Sequence, residues 1–457
     1  MLFPTFTFII GFLPLTVVVY YLLARHSRNL SRVWLTLASF VFYSWFNWSY
    51  FLILGGSLLM NWFLASLLYK KRSKVILTLG VICNVLLLGY FKYYDFFIEN
   101  INAVFQTSFM LKHILLPLGI SFFTFQQISF LQLVYSNSLE KRYSFGSYTL
   151  FVCFFPQLIA GPIVLPDEMM SQFDRDDCLR PDARNIAAGL YIFALGMSKK
   201  ILLADFFAEM ADPGFLDAAG NFFAGWKTAL AYTFQIYFDF SGYCDMAVGL
   251  GLLFNIRLPK NFNSPYLAEN IADFWRRWHI TLGRFLMSGL YIPLGGNRCG
   301  KFRNCLNLLI TFFVSGLWHG ASWLFVLWGV LHGIALVIHR IWSKFLGFKM
   351  HRIPAKLVTF LFVLLAWIPF RAANAAQAKQ LFAAMFLPDS WSISGRFDLR
   401  TVLFLLAGAF IIIFLKPAVD MEEKFRPTWV NAVLTTVLFL TPMFFFVKVS
   451  PFIYFNF

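Results

Sequence analysis

The chain has 457 residues, of which 59% are hydrophobic, 20% aromatic and only 13% charged. Soluble globular proteins carry about 25% charged residues, so a string of soluble domains is excluded and a membrane protein is expected. The net charge of +16 does not point to nucleic acid, because the basic residues fall in short loops between apolar runs, where they face anionic lipid.

Apolar segments recur from end to end, most of them near the roughly 17–25 residues a spanning helix needs. Segment 3–23 comes first, with no basic residue ahead of it. It is expected to be kept as the first helix, not cleaved as a signal peptide. Arg25, Arg28 and Arg32 follow it, and Lys70-Lys71-Arg72-Ser73-Lys74 forms a second basic loop. Short loops rich in Lys and Arg stay in the cytoplasm. That rule places the N-terminus on the opposite side, with two short spans between residues 33 and 69. Further segments are 50–69, 75–91, 186–197, 401–415 and 433–447, and 305–342 is long enough for two. By the rule of ~20 residues per span, the expectation is an all-α polytopic protein with about eleven transmembrane helices, forming one domain over 1–457.

The most polar stretches, 167–184, 257–277 and 416–426, are loops or surface helices between spans. Leu116-Pro117-Leu118-Gly119, Ser264-Pro265-Tyr266 and Leu294-Gly295-Gly296 break helices at or near membrane depth. Broken backbone is tolerated there only when buried in protein or lining a wet cavity. The middle of the chain is therefore expected to hold re-entrant or interfacial helices around a cavity. No repeat of fixed period stands out, which argues against solenoids and inverted-repeat transporters. The six cysteines contain no C-x-x-C pair, so no zinc site or disulfide framework is expected. Cys83, Cys153 and Cys305 lie in or beside apolar runs, as small core residues do.

Chemistry concentrates between residues 237 and 339. Tyr237-Phe238-Asp239-Phe240-Ser241-Gly242-Tyr243-Cys244-Asp245 puts two carboxylates in an aromatic setting. Buried charges are normally paired, and Arg276 and Arg277 are the expected partners. Alternatively, an Asp orients a histidine, as carboxylates do in catalytic triads. In Phe274-Trp275-Arg276-Arg277-Trp278-His279, the residues Trp275, His279 and Gly283 recur at helical spacing. That spacing predicts an amphipathic helix over 270–288, lying at the interface, with His279 either an interfacial residue or part of a site. Arg276, Arg277, Lys199 and Lys200 are candidates for the phosphates of an anionic cofactor such as coenzyme A, although lipid headgroups explain basic residues equally well.

His319 stands in Ser315-Gly316-Leu317-Trp318-His319-Gly320-Ala321-Ser322-Trp323, inside an apolar stretch. An imidazole there is either a core residue bonded to a carbonyl or a functional group, and intramembrane ionisable residues are functional by default. Histidine also passes protons near neutral pH. Gly320 permits close backbone approach. His332 and His339 are expected to be lining or interfacial residues. No G-x-S-x-G elbow, P-loop or H-E-x-x-H motif is present.

Together with Leu116-Pro117-Leu118-Gly119-Ile120-Ser121-Phe122, Phe155-Pro156-Gln157-Leu158-Ile159-Ala160-Gly161-Pro162, Asn261-Phe262-Asn263, Tyr291-Ile292-Pro293-Leu294-Gly295-Gly296-Asn297-Arg298, Phe370-Arg371-Ala372 and Phe452-Ile453-Tyr454-Phe455, these motifs span nearly the whole chain. The chain resembles the membrane-bound O-acyltransferase family, most closely its bacterial branch of alginate, peptidoglycan and cellulose O-acetylation subunits. The resemblance implies a multi-helix fold around a central tunnel, with acyl transfer at His319 and His279 as the second site histidine. It makes Trp275, Trp318, Asp239, Ser241, Asp245 and Gln157 candidates for lining the tunnel or binding substrate. It also implies acetyl-CoA as donor, no permanently bound cofactor or metal, and location in the bacterial inner membrane. A periplasmic SGNH-hydrolase-like partner would then acetylate a polysaccharide. D-alanyl transfer from a carrier protein, a transporter or flippase without acyl chemistry, and a scaffold for an acetylation complex are the alternatives. The sequence departs from its relatives at Phe285-Leu286-Met287-Ser288-Gly289, where an Arg-Asp pair is expected, and near Val134, where an Asp is expected.

Overall fold

The structure is a computed structural model that describes residues 1–457 except 217–219, 344–346, 348, 349, 389–396, 423, 447–449, 451 and 454–457. The end of segment 433–447, and Tyr454 and Phe455 of the last motif, lie outside the described residues. Among the described residues the regular structure is helical, with no strand. Six helical stretches among the described residues are long and apolar enough to cross a membrane: Thr7–Ala24, Ser49–Lys70, Lys74–Phe105, Ala183–Leu216, Trp323–Ile341 and Arg352–Arg371. Leu399–Phe414 and Trp429–Met443 are shorter apolar helices. Their outward faces carry exposed large apolar side chains such as Leu52, Leu59, Phe63, Leu86 and Ile338. Such surfaces suit lipid tails. Two helices, Arg28–Ser44 and Ser49–Lys70, occupy the stretch where two short spans are expected, and the second of them is long and apolar enough to cross a membrane.

The described residues divide into two compact units. The first comprises Met1–Ala194, Cys244–Pro259 and Phe425–Val437. Its core includes Phe3, Phe8, Phe42 and Phe155, whose rings pack on one another. One cluster of polar side chains buried among its helices pairs internally, as lipid-facing helices favour. Asn61 and Asn84 exchange side-chain hydrogen bonds of 3.1 and 2.6 Å, and Gln127 Oε1 accepts from Ser57 at 3.0 Å and from Asn61. The expected break at Pro117-Leu118-Gly119 is present. Gly119 has φ +71° and starts the helix Ile120–Ser136, and a Cβ on it would lie 2.6 Å from the Leu158 carbonyl oxygen.

The second unit comprises Leu195–Tyr243, Lys260–Lys424 and Leu438–Phe457. At its centre the 305–342 stretch forms two helices, Lys301–His319 and Trp323–Ile341. The turn between them is set by Ser322, whose Oγ accepts from the Leu324 N–H and caps the second helix. Gly316 and Gly329 sit at the crossing. A Cβ on Gly316 would lie 2.3 Å from the Phe325 carbonyl oxygen, and one on Gly329 2.2 Å from that of Phe312. Small residues let membrane helices touch backbone to backbone. The helix Arg352–Arg371 packs on Trp323–Ile341. The breaks expected at Ser264 and Gly295-Gly296 are also present, with φ values of +45°, +109° and +51°.

Candidate active site

The 270–288 stretch is not one amphipathic helix. Asn270 caps a short helix, Ile271–Trp275, by accepting from the Asp273 N–H at 2.8 Å. The chain then turns, and His279 takes a left-handed φ of +45° before the helix Ile280–Leu286. This backbone conformation is uncommon for a residue with a Cβ, and such positions cluster at functional sites. The turn is pinned from outside the segment. Asn263 N–H donates to the Arg277 carbonyl at 2.9 Å, and Ile280 N–H to the Asn261 carbonyl at 3.0 Å. Helical spacing alone could not reveal this, because the bonds come from residues 261–263. His279 is 1% exposed and is not an interfacial residue.

Asn261 also fixes the chemistry of His279. Its Oδ1 accepts from Thr281 N–H at 3.2 Å and Thr281 Oγ1 at 2.8 Å, and it lies 3.2 Å from His279 Nδ1. A backbone N–H can only donate, so the Asn261 atom at this junction is oxygen. His279 Nδ1 must then carry the hydrogen, and in the neutral ring Nε2 keeps a lone pair. His279 lies outside the six apolar spans, and burial holds its pKa below the ordinary histidine range, which favours that neutral ring. Nε2 is buried and has no hydrogen-bond partner among the described residues.

His319 ends the helix Lys301–His319 and is 2% exposed. Its ring packs edge-on against Trp318, Trp328 and Phe370, at centroid distances of 4.8, 5.0 and 5.2 Å. Gly320 is required beside it, since a Cβ there would lie 2.1 Å from the Phe325 ring. Trp318 bridges the two histidines, 6.0 Å from the His279 ring and 4.8 Å from the His319 ring. His332, expected at the lining or interface, is fully buried. Its Nδ1 accepts from Trp275 Nε1 at 3.3 Å, and its ring packs on Trp328 at 4.8 Å. Trp367 stacks on Trp328 at 5.7 Å and donates to Tyr266 Oη at 3.2 Å, and Tyr266 in turn donates to the Thr233 carbonyl at 2.7 Å. Aromatic rings thus pack closely around both imidazoles.

Of the predicted site residues, His279, His319, Trp275 and Trp318 come together here. Asp239 and Ser241 are buried on the helix Phe222–Leu252. The expected pairing of Asp239 with Arg276 or Arg277 is corrected. Asp239 pairs with Lys200 at 2.6 Å, while both arginines reach back to Asp273, three and four residues earlier, at 3.5 and 3.0 Å. Lys200 donates as well to Asp205 at 2.8 Å and Ser450 Oγ at 3.0 Å. Its buried ammonium is thus engaged by two carboxylates and a hydroxyl, which makes it a poor phosphate ligand. Lys199 is half-buried and lines an apolar cleft with Tyr237 and Lys416. Gln157 and Asp245 are buried in the first unit, where Gln157 Nε2 donates to the Phe151 carbonyl at 2.7 Å. The residue that orients a site histidine is Asn261, not an aspartate. In the sequence Asn261 stands only as part of the motif Asn261-Phe262-Asn263, and its distance of eighteen residues from His279 carries no signal.

A sequence model described as "MBOAT, membrane-bound O-acyltransferase family" matches residues 19–375, a span that contains both histidines. Peptidoglycan O-acetyltransferase of Helicobacter pylori is 47% identical over 84% of this chain and 80% of its own length. The probable alginate O-acetylase AlgI of Pseudomonas aeruginosa is 38% identical over 86% of this chain and 76% of its own. Teichoic acid D-alanyltransferase of Streptococcus thermophilus is more distant, at 31% over 50% of this chain and 57% of its own. With a helical fold, apolar spans and buried histidines in the matched region, the chain belongs to the membrane-bound O-acyltransferase family and is an O-acyltransferase.

Proposed function

We propose that this enzyme takes an acetyl group from acetyl-CoA on the cytoplasmic side and passes it across the bacterial inner membrane, for O-acetylation of an extracytoplasmic polysaccharide through a periplasmic SGNH-hydrolase-like partner. The N-terminus would then lie in the periplasm. The observation that carries this reading is the pair of buried imidazoles bridged by Trp318, one of them with a defined tautomer and a buried Nε2 lone pair. The peptidoglycan and alginate acetylases named above support acetyl as the group moved.

In this reading neutral His319 removes the proton from the acceptor hydroxyl as its oxygen attacks the thioester carbonyl. The tetrahedral intermediate collapses with cleavage of the carbon–sulfur bond. The proton then moves from His319 to the departing thiolate, which balances the step. Positioned proton transfer of this kind contributes about 10²–10⁴-fold. Because His279 spends its Nδ1–H on Asn261, the neutral ring has no hydrogen to give an oxyanion. Its Nε2 instead accepts, from a polar hydrogen of the acceptor other than the reacting one, and so orients that acceptor. Aromatic walls exclude water, which keeps the thioester from hydrolysis.

The test uses purified protein in nanodiscs with radiolabelled acetyl-CoA. Wild type should transfer the label to an acceptor or the periplasmic partner, and His319→Ala should fold and insert but show no transfer. Equal turnover in both would remove His319 from the mechanism. No turnover in either, with the periplasmic partner present, would favour a D-alanyl carrier donor or transport without acyl chemistry.

A further inference from the structure

The Lys200–Asp239 pair lies inside the second unit and no step above uses it. A buried ion pair is weak evidence for stability, because desolvating two charges offsets most of their attraction. Its contacts point instead to a positioning role. We propose that Ser450, Phe452 and Ile453 form a clasp that holds Phe240 against His279, and that the Asp239 side-chain oxygen that accepts the Ile453 N–H is its latch. This inference rests on the acyl-transfer reading only for its rate measurements.

Asp239 is 2% exposed and divides its two oxygens. Oδ1 meets Lys200 Nζ at 2.6 Å, and Oδ2 accepts the backbone N–H of Ile453 at 2.8 Å. Lys200 also reaches Ser450, whose hydroxyl donates to Asp205 at 2.6 Å, a contact that does not need the lysine. Gly242 makes this reach possible. A Cβ on it would lie 2.7 Å from the Gly196 carbonyl oxygen, so the helices bearing Lys200 and Asp239 approach as closely as backbones allow. Once Ile453 is held, Phe452 stacks on Tyr243 at 4.8 Å and leans on Phe240 at 5.6 Å. Phe240 follows Asp239 in the chain, and its ring meets His279 edge-on at 4.8 Å and 87°. His279 is thereby held twice. Asn261 fixes its tautomer, and Phe240, backed by Phe452 and by Phe262 at 5.0 Å, fixes its ring plane.

Two double variants separate the latch from the charge. In Lys200→Met/Asp239→Asn the charges are gone but an amide oxygen can still accept from Ile453. In Lys200→Met/Asp239→Leu no acceptor remains. Both leave Asp205 in the same state, so their comparison is matched. The first readout is the single-turnover rate and donor KM in nanodiscs. The second needs no activity: diethyl pyrocarbonate labelling of His279, read by peptide mass spectrometry. The Asn variant should stay within about threefold of wild type, with His279 protected, because the clasp geometry is preserved. The Leu variant should lose about 10- to 100-fold in rate with donor KM within twofold, and label faster at His279, as loss of positioning predicts. Should the Leu variant not be recovered folded, Phe452→Ala removes the ring and leaves the latch, and the same loss and labelling are expected. Equal rates and equal His279 labelling in the Asn and Leu variants, or in Phe452→Ala and wild type, would overturn the proposal. If wild type itself shows no turnover, the acyl-transfer reading fails, and the labelling comparison still decides whether the clasp exists.

Discussion

Asn261→Ala should damage both folding and catalysis, and the structure gives the size of each effect. The side chain is acceptor to three donors at one oxygen. Thr281 N–H belongs to the first turn of the helix Ile280–Leu286 and has no partner within that helix, so losing its distant cap costs about 1 kcal/mol. His279 Nδ1–H would be left buried without an acceptor, costing about 1–3 kcal/mol. The Thr281 hydroxyl can rotate to another acceptor and is counted as nothing. The sum is about 2–4 kcal/mol of stability, visible as a lower melting temperature in detergent or nanodiscs. With neither tautomer nor ring plane fixed by Asn261, the acetyl-transfer rate should fall about 100-fold. Asn261→Asp tests the cause. It keeps the acceptor, so melting should stay closer to wild type, but its carboxylate favours imidazolium at His279. Raising the His279 pKa from its low buried value moves the loss of the Nε2 lone pair to higher pH. The Asp variant should therefore lose rate on acidification at a higher pH than wild type and recover as pH rises, while the Ala variant should not. Wild-type melting and rate in Asn261→Ala, or identical pH profiles for Ala and Asp, would refute the tautomer assignment.

Gly316→Ala should lower the melting temperature and activity together. Its Cβ would sit 2.3 Å from the Phe325 carbonyl oxygen, and forcing the two helices apart costs about 1–3 kcal/mol and moves His319. Normal turnover with unchanged melting would show that the crossing is looser than the structure has it. At Asp174, burial alone would raise the carboxyl pKa, but Lys141 and Arg32, each at 2.6 Å, outweigh it and hold the group below its usual range. Its contribution is complete above the unfolded value of about 3.9 and fades as pH falls through the folded value. Between about pH 5 and pH 3, wild type should lose melting temperature slightly more steeply than Asp174→Asn, slightly because the group is part-exposed. Equal slopes would mean that the pairs are not formed in solution.

The sequence by itself determined the class of the fold. Apolar runs of spanning length leave helices as the open solution, since backbone groups in lipid must be satisfied within the segment. It also singled out both histidines as candidates, because a polar ring in an apolar motif is conspicuous, and it located the breaks at Gly119, Ser264 and Gly295-Gly296, where Gly and Pro act locally. The tertiary structure decided what those residues touch. Periodicity over 270–288 favoured one helix, and hydrogen bonds from Asn261 and Asn263 overrode it. Arg276 and Arg277 found Asp273 on their own turn, and Asp239 found Lys200, thirty-nine positions away in sequence. A buried charge or imidazole needs a partner, and that need can be read from composition. Which partner satisfies it depends on how helices cross, and this is set where Gly196 meets Gly242 and Gly316 meets Gly329.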